Sequence, residues 1–472
     1  MVDLEYFTIA GLIFFIVEFI GIIFALNVVM SSRSSQGTIA WSMSLIMMPF
    51  FTIPLYLLFG RTRFNGYAEK MRDKEKEIGE QWLDWHKQML ALAAPATENL
   101  KPIYTVVNRL TSISFTQHNQ VRLLIDAKLT YQTMLDAIAL AKNYVFVQFF
   151  IVRDDTTSQR LREALIAKAR EGLRVYFLYD EIGCFKTPDV YFEKMRNADI
   201  NVSSFKTTKG RNNRFQINFR NHRKLLIIDG DISFVGGLNL GDEYLGFRDT
   251  HMRIEGPASQ HIQFSFLKDW YWATGKIPEH NKTIKLAGNA NQAVSIVNTG
   301  PADDLANCSI LFASLIRMAQ HRLWITSPYF VPDDVMLRTL QAAAIRGVDV
   351  RIILPGKADH KTVELASFTY YESMMNFGVR LFRYRERFMH QKVILIDNDL
   401  AGVGTVNIDN RSIYLNFEAT GLVADKDFVQ EVETMLLTDL HNSNEVHPKQ
   451  YDEKPFWFRI AARISRLASP LL

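Results

Sequence analysis

Two polar clusters in this chain of 472 residues repeat the same residue types at the same spacing. Each has a histidine, a lysine two positions later, an aspartate five positions after the lysine, and an asparagine ten positions after the aspartate. The first cluster contains His222, Lys224, Asp229 and Asn239, and the second contains His390, Lys392, Asp397 and Asn407. Chance matches to such a pattern are uncommon, so two of them with matching tails indicate a functional site.

These residue types together suit a phosphoryl group. A lysine neutralises non-bridging oxygens, an asparagine amide donates hydrogen bonds, and a histidine serves as nucleophile, acid or base. Two histidines allow a division of labour, in which one forms a covalent phosphohistidine while the other protonates the leaving alkoxide and then deprotonates the incoming alcohol. For either cluster alone, a capped hairpin with a buried, hydrogen-bonded histidine is the alternative.

The spacing also predicts how each cluster is arranged. Residues two apart on a strand face the same side, so each histidine projects together with its lysine. Gly230-Asp231 and Asn398-Asp399 are candidate two-residue hairpin turns. With Asp229 opposite Ile232, Asn239 lies opposite His222, and the equivalent register of the second hairpin places Asn407 opposite His390. A β-bulge would shift this register by one residue.

The elements around the clusters are duplicated as well. In both 142–180 and 321–355 an apolar strand is followed by an Asp pair, an amphipathic helix that ends in Gly, and a second strand. This order is typical of β-α-β units in a parallel sheet. We therefore predict an α/β protein with two similar halves. The expected divisions are 1–60 as a membrane hairpin, 61–100 as a basic helical connector, 101–290 and 291–450 as the halves, and 451–472 as a tail.

Two apolar stretches at the start of the chain predict membrane attachment. Residues 6–30 are long enough to span a bilayer, and residues 40–59 contain no charge. A cleaved signal peptide is disfavoured because a second apolar stretch follows directly and the start carries no basic residues. Basic residues crowd behind the second stretch, which predicts a multi-pass inner-membrane protein with both termini and the later domain in the cytoplasm. These residues are Arg61, Arg63, Lys70, Arg72, Lys74 and Lys76.

Composition agrees with a membrane-attached globular protein. Hydrophobic residues make up 48% and charged residues 22% of the chain, which excludes a disordered or fibrous protein. The formal net charge is +4, and the two cysteines exclude a disulfide scaffold. Basic residues also lie before or within the clusters. They are Lys206, Lys209, Arg211, Arg214, Arg220 and Arg223 before and at the first, and Arg380, Arg383, Arg385 and Arg387 before the second. A solvated face or a nucleic-acid patch is the alternative, but the membrane segments favour an anionic lipid surface and no nucleic acid.

The duplicated pattern resembles the phospholipase D superfamily over roughly residues 101–447. The resemblance implies two phospholipase D-like α/β sandwich halves with one active site at their junction, phosphohistidine chemistry, and no metal or other cofactor. It implies that the two histidines are catalytic, the two lysines hold phosphate and the two asparagines assist. Asp229 and Asp397 fall at the expected turns, so we expect them to be structural. A carboxylate is also expected behind each histidine. Glu418 matches this position after His390, and Asp249 is the counterpart after His222 or else a solvated surface acid.

The ends of the chain narrow the resemblance to the bacterial cardiolipin synthases. The features are the two apolar stretches, Trp41 and Pro54 before Gly60-Arg61, the sequence YFVPDD at 329–334, and the basic and apolar tail. The implied reaction converts two phosphatidylglycerol molecules into cardiolipin and glycerol. A phosphodiester hydrolase that releases phosphatidic acid, or another phosphatidyltransferase, is the alternative, and a homo-oligomer is possible. In the tail, Arg459, Arg463 and Arg466 form one helical stripe beside an apolar one, which predicts either an interfacial amphipathic helix or an ordinary docked helix.

Overall fold

The computed structural model describes residues 2–31, 35–60, 63–77, 79–208, 218–447 and 453–471, which form two compact units. The smaller unit lies within 1–69 and 207–219, and the larger within 70–206 and 220–472. Arg61 and the basic residues Lys209, Arg211 and Arg214 lie outside the described residues. The smaller unit therefore contains the apolar stretches, and the larger contains both polar clusters.

The smaller unit is helical. Helix α1 (Val2–Ser31) contains the one segment of the described residues, 9–30, that is long and apolar enough to cross a membrane. The second apolar stretch differs from the single helix that we predicted, because it forms α2 (Ser35–Met47) and α3 (Pro49–Phe59). The break is at Met48, whose φ is −140°. Proline disfavours helical dihedrals in the residue before it, and Pro49 supplies that constraint here.

The larger unit is built on one 16-stranded sheet and two two-stranded sheets. The strands of the first half are β1 (Thr116–Ile125), β2 (Tyr144–Phe149), β3 (Arg174–Asp180), β4 (Asn201–Phe205), β5 (Arg220–Asn221), β6 (Leu225–Ile228), β7 (Ile232–Gly236), β8 (Phe247–Arg248) and β9 (Thr250–Glu255). Those of the second half are β10 (Gln292–Thr299), β11 (Arg322–Thr326), β12 (Phe330–Val331), β13 (Asp349–Pro355), β14 (Arg380–Tyr384), β15 (Phe388–Met389), β16 (Val393–Ile396), β17 (Leu400–Gly404), β18 (Ile408–Asp409), β19 (Asn416–Ala424) and β20 (Ser443–Glu445). The order in the large sheet is β20-β14-β13-β11-β16-β17-β19-β10-β1-β9-β7-β6-β2-β3-β4, with β5 paired to β19, and the small sheets are β8 with β15 and β12 with β18. Apart from the edge strand β20, the order is symmetric about the pair of β10 and β1.

Helices alternate with these strands and complete the predicted β-α-β units. They are α4 (Asn65–Glu77), which begins in the smaller unit, α5 (Gly79–Ala91), α6 (Lys101–Thr111), α7 (Ala127–Ala139), α8 (Thr156–Arg170), α9 (Asp189–Arg196), α10 (Ala258–Thr274), α11 (Asn307–Met318), α12 (Asp334–Ile345), α13 (Lys361–Met375), α14 (Asn410–Tyr414), α15 (Lys426–His441) and α16 (Phe456–Leu467). Strands β2 and β3 are parallel, as are β11 and β13. The Asp pairs cap the intervening helices, because Asp155 accepts the Ser158 N–H and Asp333 accepts the Met336 N–H.

Each half has its own hydrophobic core. The first includes Val147, Leu165 and Phe177, and the second includes Ile325, Leu340 and Ile352. Helix α6 belongs to the second core through Ile103 and Val107, although its residues precede the first half in the sequence. The duplicated α/β architecture is thus confirmed, with one N-terminal helix of the second core that the repeat did not predict.

The hairpins of the two clusters have a register one residue away from the predicted one. Ile228 pairs with Ile232 and Ile396 pairs with Leu400, so each loop has three residues instead of two. The aspartates cause the shift. Asp229 and Asp397 adopt positive φ angles of 55° and 49°. Each accepts hydrogen bonds from three main-chain N–H groups around the start of a neighbouring strand. The expected pairing of each asparagine with its histidine is therefore wrong, while the structural role of the aspartates is supported.

Replacing Asp229 or Asp397 by alanine is expected to lower the free energy of unfolding by about 3 kcal/mol. The substitution leaves three buried or half-buried donors unsatisfied and forces a residue with a Cβ and no hydrogen-bonding side chain to adopt a left-handed conformation. Thermal denaturation of the detergent-solubilised protein measures this loss. Asp399→Ala removes an acid from the same turn without removing that set of bonds and serves as the control. Equal melting temperatures for all three variants would contradict the proposed role of the two aspartates.

Candidate functional site

Each candidate catalytic histidine directly follows a short strand that pairs with the opposite half. The His222 N–H donates to the Phe417 carbonyl at 2.9 Å, next to Glu418. The His390 N–H donates to the Arg248 carbonyl at 2.8 Å, next to Asp249. The short strands beside the histidines pair in the same crossed way, β5 with β19 and β15 with β8. The two clusters therefore lie at the junction of the halves.

The carboxylates pair with the histidines across the junction. Glu418 Oε2 lies 2.9 Å from His222 Nδ1, and Asp249 Oδ2 lies 2.6 Å from His390 Nδ1. Both carboxylates are fully buried, which excludes the alternative that Asp249 is a solvated surface acid. The sequence placed each carboxylate after the histidine of its own half, and the structure corrects this by exchanging the two partners. Because Nδ1 of each imidazole faces a carboxylate, Nε2 is the nitrogen left to react.

The electrostatics of the site are shared between the halves. The pKa of His222 is lowered to about 4, mainly by burial, with the nearby Lys224 and Lys392 acting in the same direction and Glu418 opposing them. Burial and Lys392 likewise lower the pKa of His390. Burial by itself raises the pKa of Glu418, but the contact with His222 and the charge of Lys224 outweigh it, and the net pKa is lowered. The site therefore holds neutral imidazoles beside ionised carboxylates.

The two lysines are the buried cations of the site. The Lys224 ammonium donates to the His222 carbonyl at 2.6 Å, and the Lys392 ammonium donates to the His390 carbonyl. Burial lowers the pKa of Lys224 well below its usual range and that of Lys392 to about 8, and in each case the other lysine or the neighbouring acids modify the shift. A bound anion beside the two ammonium groups would raise both pKa values. The lysines thus lie at the site where the sequence predicts phosphate to bind.

The asparagines lie in the same region but differ in their contacts. Asn239 Oδ1 accepts the Ile151 N–H at 3.2 Å, and its main-chain carbonyl accepts the Tyr131 hydroxyl. Asn407 Oδ1 is buried without a hydrogen-bond partner among the described residues. The site thus gathers the histidines, lysines, asparagines and paired carboxylates, whereas Asp229 and Asp397 lie at the far turns of the hairpins.

Two buried ion pairs behind the carboxylates were not predicted. Arg223 Nη1 lies 2.8 Å from Asp269 while its Nε donates to the Glu418 carbonyl, and Arg248 Nε lies 2.8 Å from Asp439 while its Nη1 donates to the Asp249 carbonyl. Each guanidinium therefore holds the main chain of a carboxylate that backs a histidine. The repeat could have revealed the acids, since Asp269 lies 20 residues after Asp249 (269 − 249) and Asp439 lies 21 after Glu418 (439 − 418).

The basic residues near the clusters are mostly paired instead of forming an open basic face. Arg223 is buried, and Arg383 and Arg387 form ion pairs with Glu364 and Asp126. Arg380 pairs with Glu445, and Lys206 lies 3.3 Å from Glu181. Several of the described basic residues therefore have acidic partners within the protein, and their contact with anionic lipid stays a prediction.

The pKa shifts predict a pH profile for the reaction. The profile of kcat/KM reports the free enzyme, in which the pKa of His222 is about 4, the pKa of His390 is lowered from 6.5, and Lys392 loses its charge above about pH 8. We expect kcat/KM to rise as the pH falls through 6.5, because the histidine that acts as the acid must be protonated, and to fall further above about pH 8, where Lys392 loses its charge. The kcat profile should extend further to high pH, because bound phosphate raises the pKa of Lys392. Initial rates in mixed micelles across this range test the prediction, and an acid limb at or above pH 6.5 would contradict it.

Comparison with known proteins identifies relatives of both units. A family model described as the cardiolipin synthase, PLD-like domain matches residues 134–270 and 312–440, and one described as the phospholipase D-nuclease N-terminal region matches 19–61. Cardiolipin synthase A of Pseudomonas aeruginosa (strain LESB58) is 42% identical over 98% of this chain and 96% of its own length. Cardiolipin synthase A of Pseudomonas putida (strain W619) is 40% identical over 98% of each chain.

Solved structures share the fold at low sequence identity. The phosphatidylserine synthase of Haemophilus influenzae Rd KW20 has a TM-score of 0.60 at 16% identity and covers 79% of this chain and 100% of its own. A polyphosphate kinase from Porphyromonas gingivalis has a TM-score of 0.51 at 14% identity, covering 75% of this chain and 54% of its own. At these identities the likeness concerns the fold alone.

Proposed function

This chain belongs to the cardiolipin synthase family of phospholipase D-like phosphatidyltransferases, and from that premise we propose that it converts two phosphatidylglycerol molecules into cardiolipin and glycerol. One phosphodiester replaces another in this reaction, so neither a nucleotide nor a metal ion is needed to drive it. The observation that carries the proposal is the pair of crossed contacts, His222 with Glu418 and His390 with Asp249. Each half supplies an imidazole and orients the imidazole of the other half.

We assign the two chemical steps to the two Nε2 atoms. His222 Nε2 attacks the phosphorus of the first phosphatidylglycerol, and the bond from phosphorus to the headgroup glycerol oxygen breaks. His390, which takes up a proton from solvent at Nε2 beside the bound phosphate anion, donates that proton to the leaving oxygen. After glycerol leaves, His390 takes the proton of a primary hydroxyl on the second phosphatidylglycerol. The resulting alkoxide attacks the phosphohistidine, the N–P bond breaks and cardiolipin forms. Lys224 and Lys392 neutralise the non-bridging oxygens throughout, and Asn239 and Asn407 are placed to assist.

The surroundings of the histidines favour transfer over hydrolysis. The Phe150 ring lies 5.0 Å from the His222 ring, and Phe247, Phe388 and Tyr244 lie 5.7, 6.0 and 6.4 Å from the His390 ring. These aromatic side chains limit the space for water and offer an apolar contact for lipid. A phospholipase D-type hydrolase would need free access of water to the phosphohistidine.

The experiment is product analysis with purified protein and phosphatidylglycerol as the sole lipid. Cardiolipin and glycerol in equal amounts are expected, and the His222→Ala protein is the blank. Phosphatidic acid as the main product would replace the proposal with the hydrolase. Adding phosphatidylethanolamine in a second reaction shows whether it also donates a phosphatidyl group, since ethanolamine would then be released.

The same proposal includes the predicted organisation in the membrane. Helix α1 supports membrane association, and we propose that α2 and α3 together form a second crossing, so that both termini and the catalytic halves face the cytoplasm. The proposed divisions of the chain lie at residues 60, 100, 290 and 450. The proposed partner is lipid in preference to nucleic acid, and the chain could also form a homo-oligomer. A cysteine introduced between α1 and α2 should react with an impermeant maleimide only from the periplasmic side.

A further inference from the structure

Helix α16 (Phe456–Leu467) has two apolar stripes on nearly opposite faces. At about 100° per residue, Phe458, Ala462 and Ser465 lie on one face, and Trp457, Ile464 and Leu467 lie on the other. Arg459 and Arg463 lie between the stripes, along one edge of the second. A docked helix and an interfacial helix therefore do not exclude each other, because each would use a different face of α16.

The first face is docked on α13. The rings of Phe458 and Phe368 are 5.2 Å apart, and Ala462 is fully buried. The Tyr370 hydroxyl lies 3.3 Å from the Ser469 hydroxyl, and the Arg466 guanidinium lies 4.7 Å above the Tyr370 ring. These contacts fix the orientation of α16 on the larger unit, so the direction of the second face is set by the fold.

The second face is exposed although it is apolar. Trp457 is 75% exposed, Ile464 61% and Leu467 81%, and Phe456 beside them is 61% exposed. A contiguous group of large apolar side chains on a docked helix is unusual for a surface that faces only water. Aromatic side chains at its N-terminal end favour the boundary between headgroups and acyl chains.

The charge of the segment indicates what covers this face. From Lys454 to the end of the chain there are four basic residues and no acidic one. Arg463 is exposed beside the apolar stripe. A stripe of large apolar and aromatic residues with arginines along its edge matches the surface of an anionic bilayer, where the arginines meet phosphates while the apolar side chains enter the acyl boundary.

We propose that α16 is a second membrane contact, which lies in the interface plane of an anionic bilayer and belongs to the larger unit. It is distinct from the apolar helix α1. By holding the larger unit at the lipid surface, it would keep the catalytic halves close to a substrate that cannot leave the bilayer. A second copy of the chain packed on the same face is the competing occupant, and the test separates the two.

The experiment uses the full chain reconstituted into vesicles, with an NBD fluorophore attached at Ile464→Cys or Leu467→Cys. Labelling is selective because both natural cysteines are buried. Val190→Cys, a 49% exposed apolar helical position on α9, is the matched control. The vesicles contain phosphatidylcholine with or without phosphatidylserine, an anionic lipid without a headgroup glycerol, so the result does not depend on cardiolipin formation.

We expect the probe at 464 and 467, but not at 190, to show a blue-shifted, brighter emission in anionic vesicles and strong quenching by lipids that carry a bromine near the top of the acyl chain. Arg459→Gln with Arg463→Gln should move this response to a higher content of phosphatidylserine, while the melting temperature stays that of the parent. Emission at 464 and 467 equal to that at 190 would overturn the proposal. Self-quenching between labelled copies without lipid quenching would overturn it in favour of a protein interface.

Discussion

Replacing His222 or His390 by alanine is expected to reduce cardiolipin formation by at least about a thousandfold. His222 supplies the nucleophile, and without it no phosphohistidine forms. His390 supplies the proton without which the glycerol alkoxide is a poor leaving group, and the base that activates the second phosphatidylglycerol. Product formation from radiolabelled phosphatidylglycerol measures the loss, and the His441→Ala protein, changed at an exposed histidine of α15, is the matched control.

The same variants separate the two histidine roles. With phosphate-labelled phosphatidylglycerol, acid-labile label should accumulate on His222 of the His390→Ala protein, because transfer to the acceptor is slower than attack. The His222→Ala protein should carry none. Label on His390 of the His222→Ala protein would reverse the assignment, and activity close to normal in either variant would contradict a mechanism with two histidines. Unchanged melting temperatures exclude unfolding as the cause.

The sequence predicted the parts of this site that depend on local spacing. Strand and helix periodicity with Asp caps identifies the two β-α-β units, and the cap contacts of Asp155 and Asp333 show why that pattern is informative. The same holds for Asp229 and Asp397, whose place between two strands predicted a turn. The register failed by one residue because it depends on φ at the turn, where both aspartates adopt left-handed dihedrals that their identity permits but does not require.

The spacing of residues in the sequence could not predict which carboxylate pairs with which histidine across the junction of the halves. Glu418 and Asp249 occupy equivalent positions after their own histidines, and either pairing satisfies the pattern equally well. The exchange depends on which short strand pairs with the N-terminal end of β19. That strand is β5, which belongs to the other half. Thr405 and Gly237 occupy equivalent positions in the two clusters, and each lies beside the carboxylate that pairs across the junction. The Thr405 hydroxyl donates to Glu418, while a Cβ at Gly237 would lie only 2.1 Å from Asp249 Oδ1.

The burial of arginines also depends on tertiary structure. Arg223 belongs by sequence to a basic run that suits a lipid-facing surface, yet it is buried against Asp269. A buried cation of this kind is tolerated because a carboxylate and two main-chain carbonyls meet its N–H groups. The partner lies 46 residues away, so only the comparison of the two repeats, and no local pattern, could indicate it.

Replacing Glu418 by glutamine is expected to lower the rate by about a hundredfold or more, and Asp249→Asn should do the same. Each neutral amide keeps the shape of the carboxylate but no longer stabilises an imidazolium, and it can present an N–H to Nδ1 and favour the wrong tautomer. Glu445→Gln, which removes an exposed acid paired with Arg380, is the control and should leave the rate unchanged. The melting temperatures should stay close to the parent.

The crossed geometry makes these two variants fail at different steps. Glu418 orients His222, so Glu418→Gln should slow the appearance of phosphohistidine in a single turnover. Asp249 orients His390, so Asp249→Asn should leave more of the enzyme as phosphohistidine, because the acceptor hydroxyl is activated poorly. Pairing within each half would exchange the two outcomes, with label accumulating in the Glu418→Gln protein. Rapid-quench measurement of labelled protein in both variants therefore tests whether each half of the enzyme controls the histidine of the other.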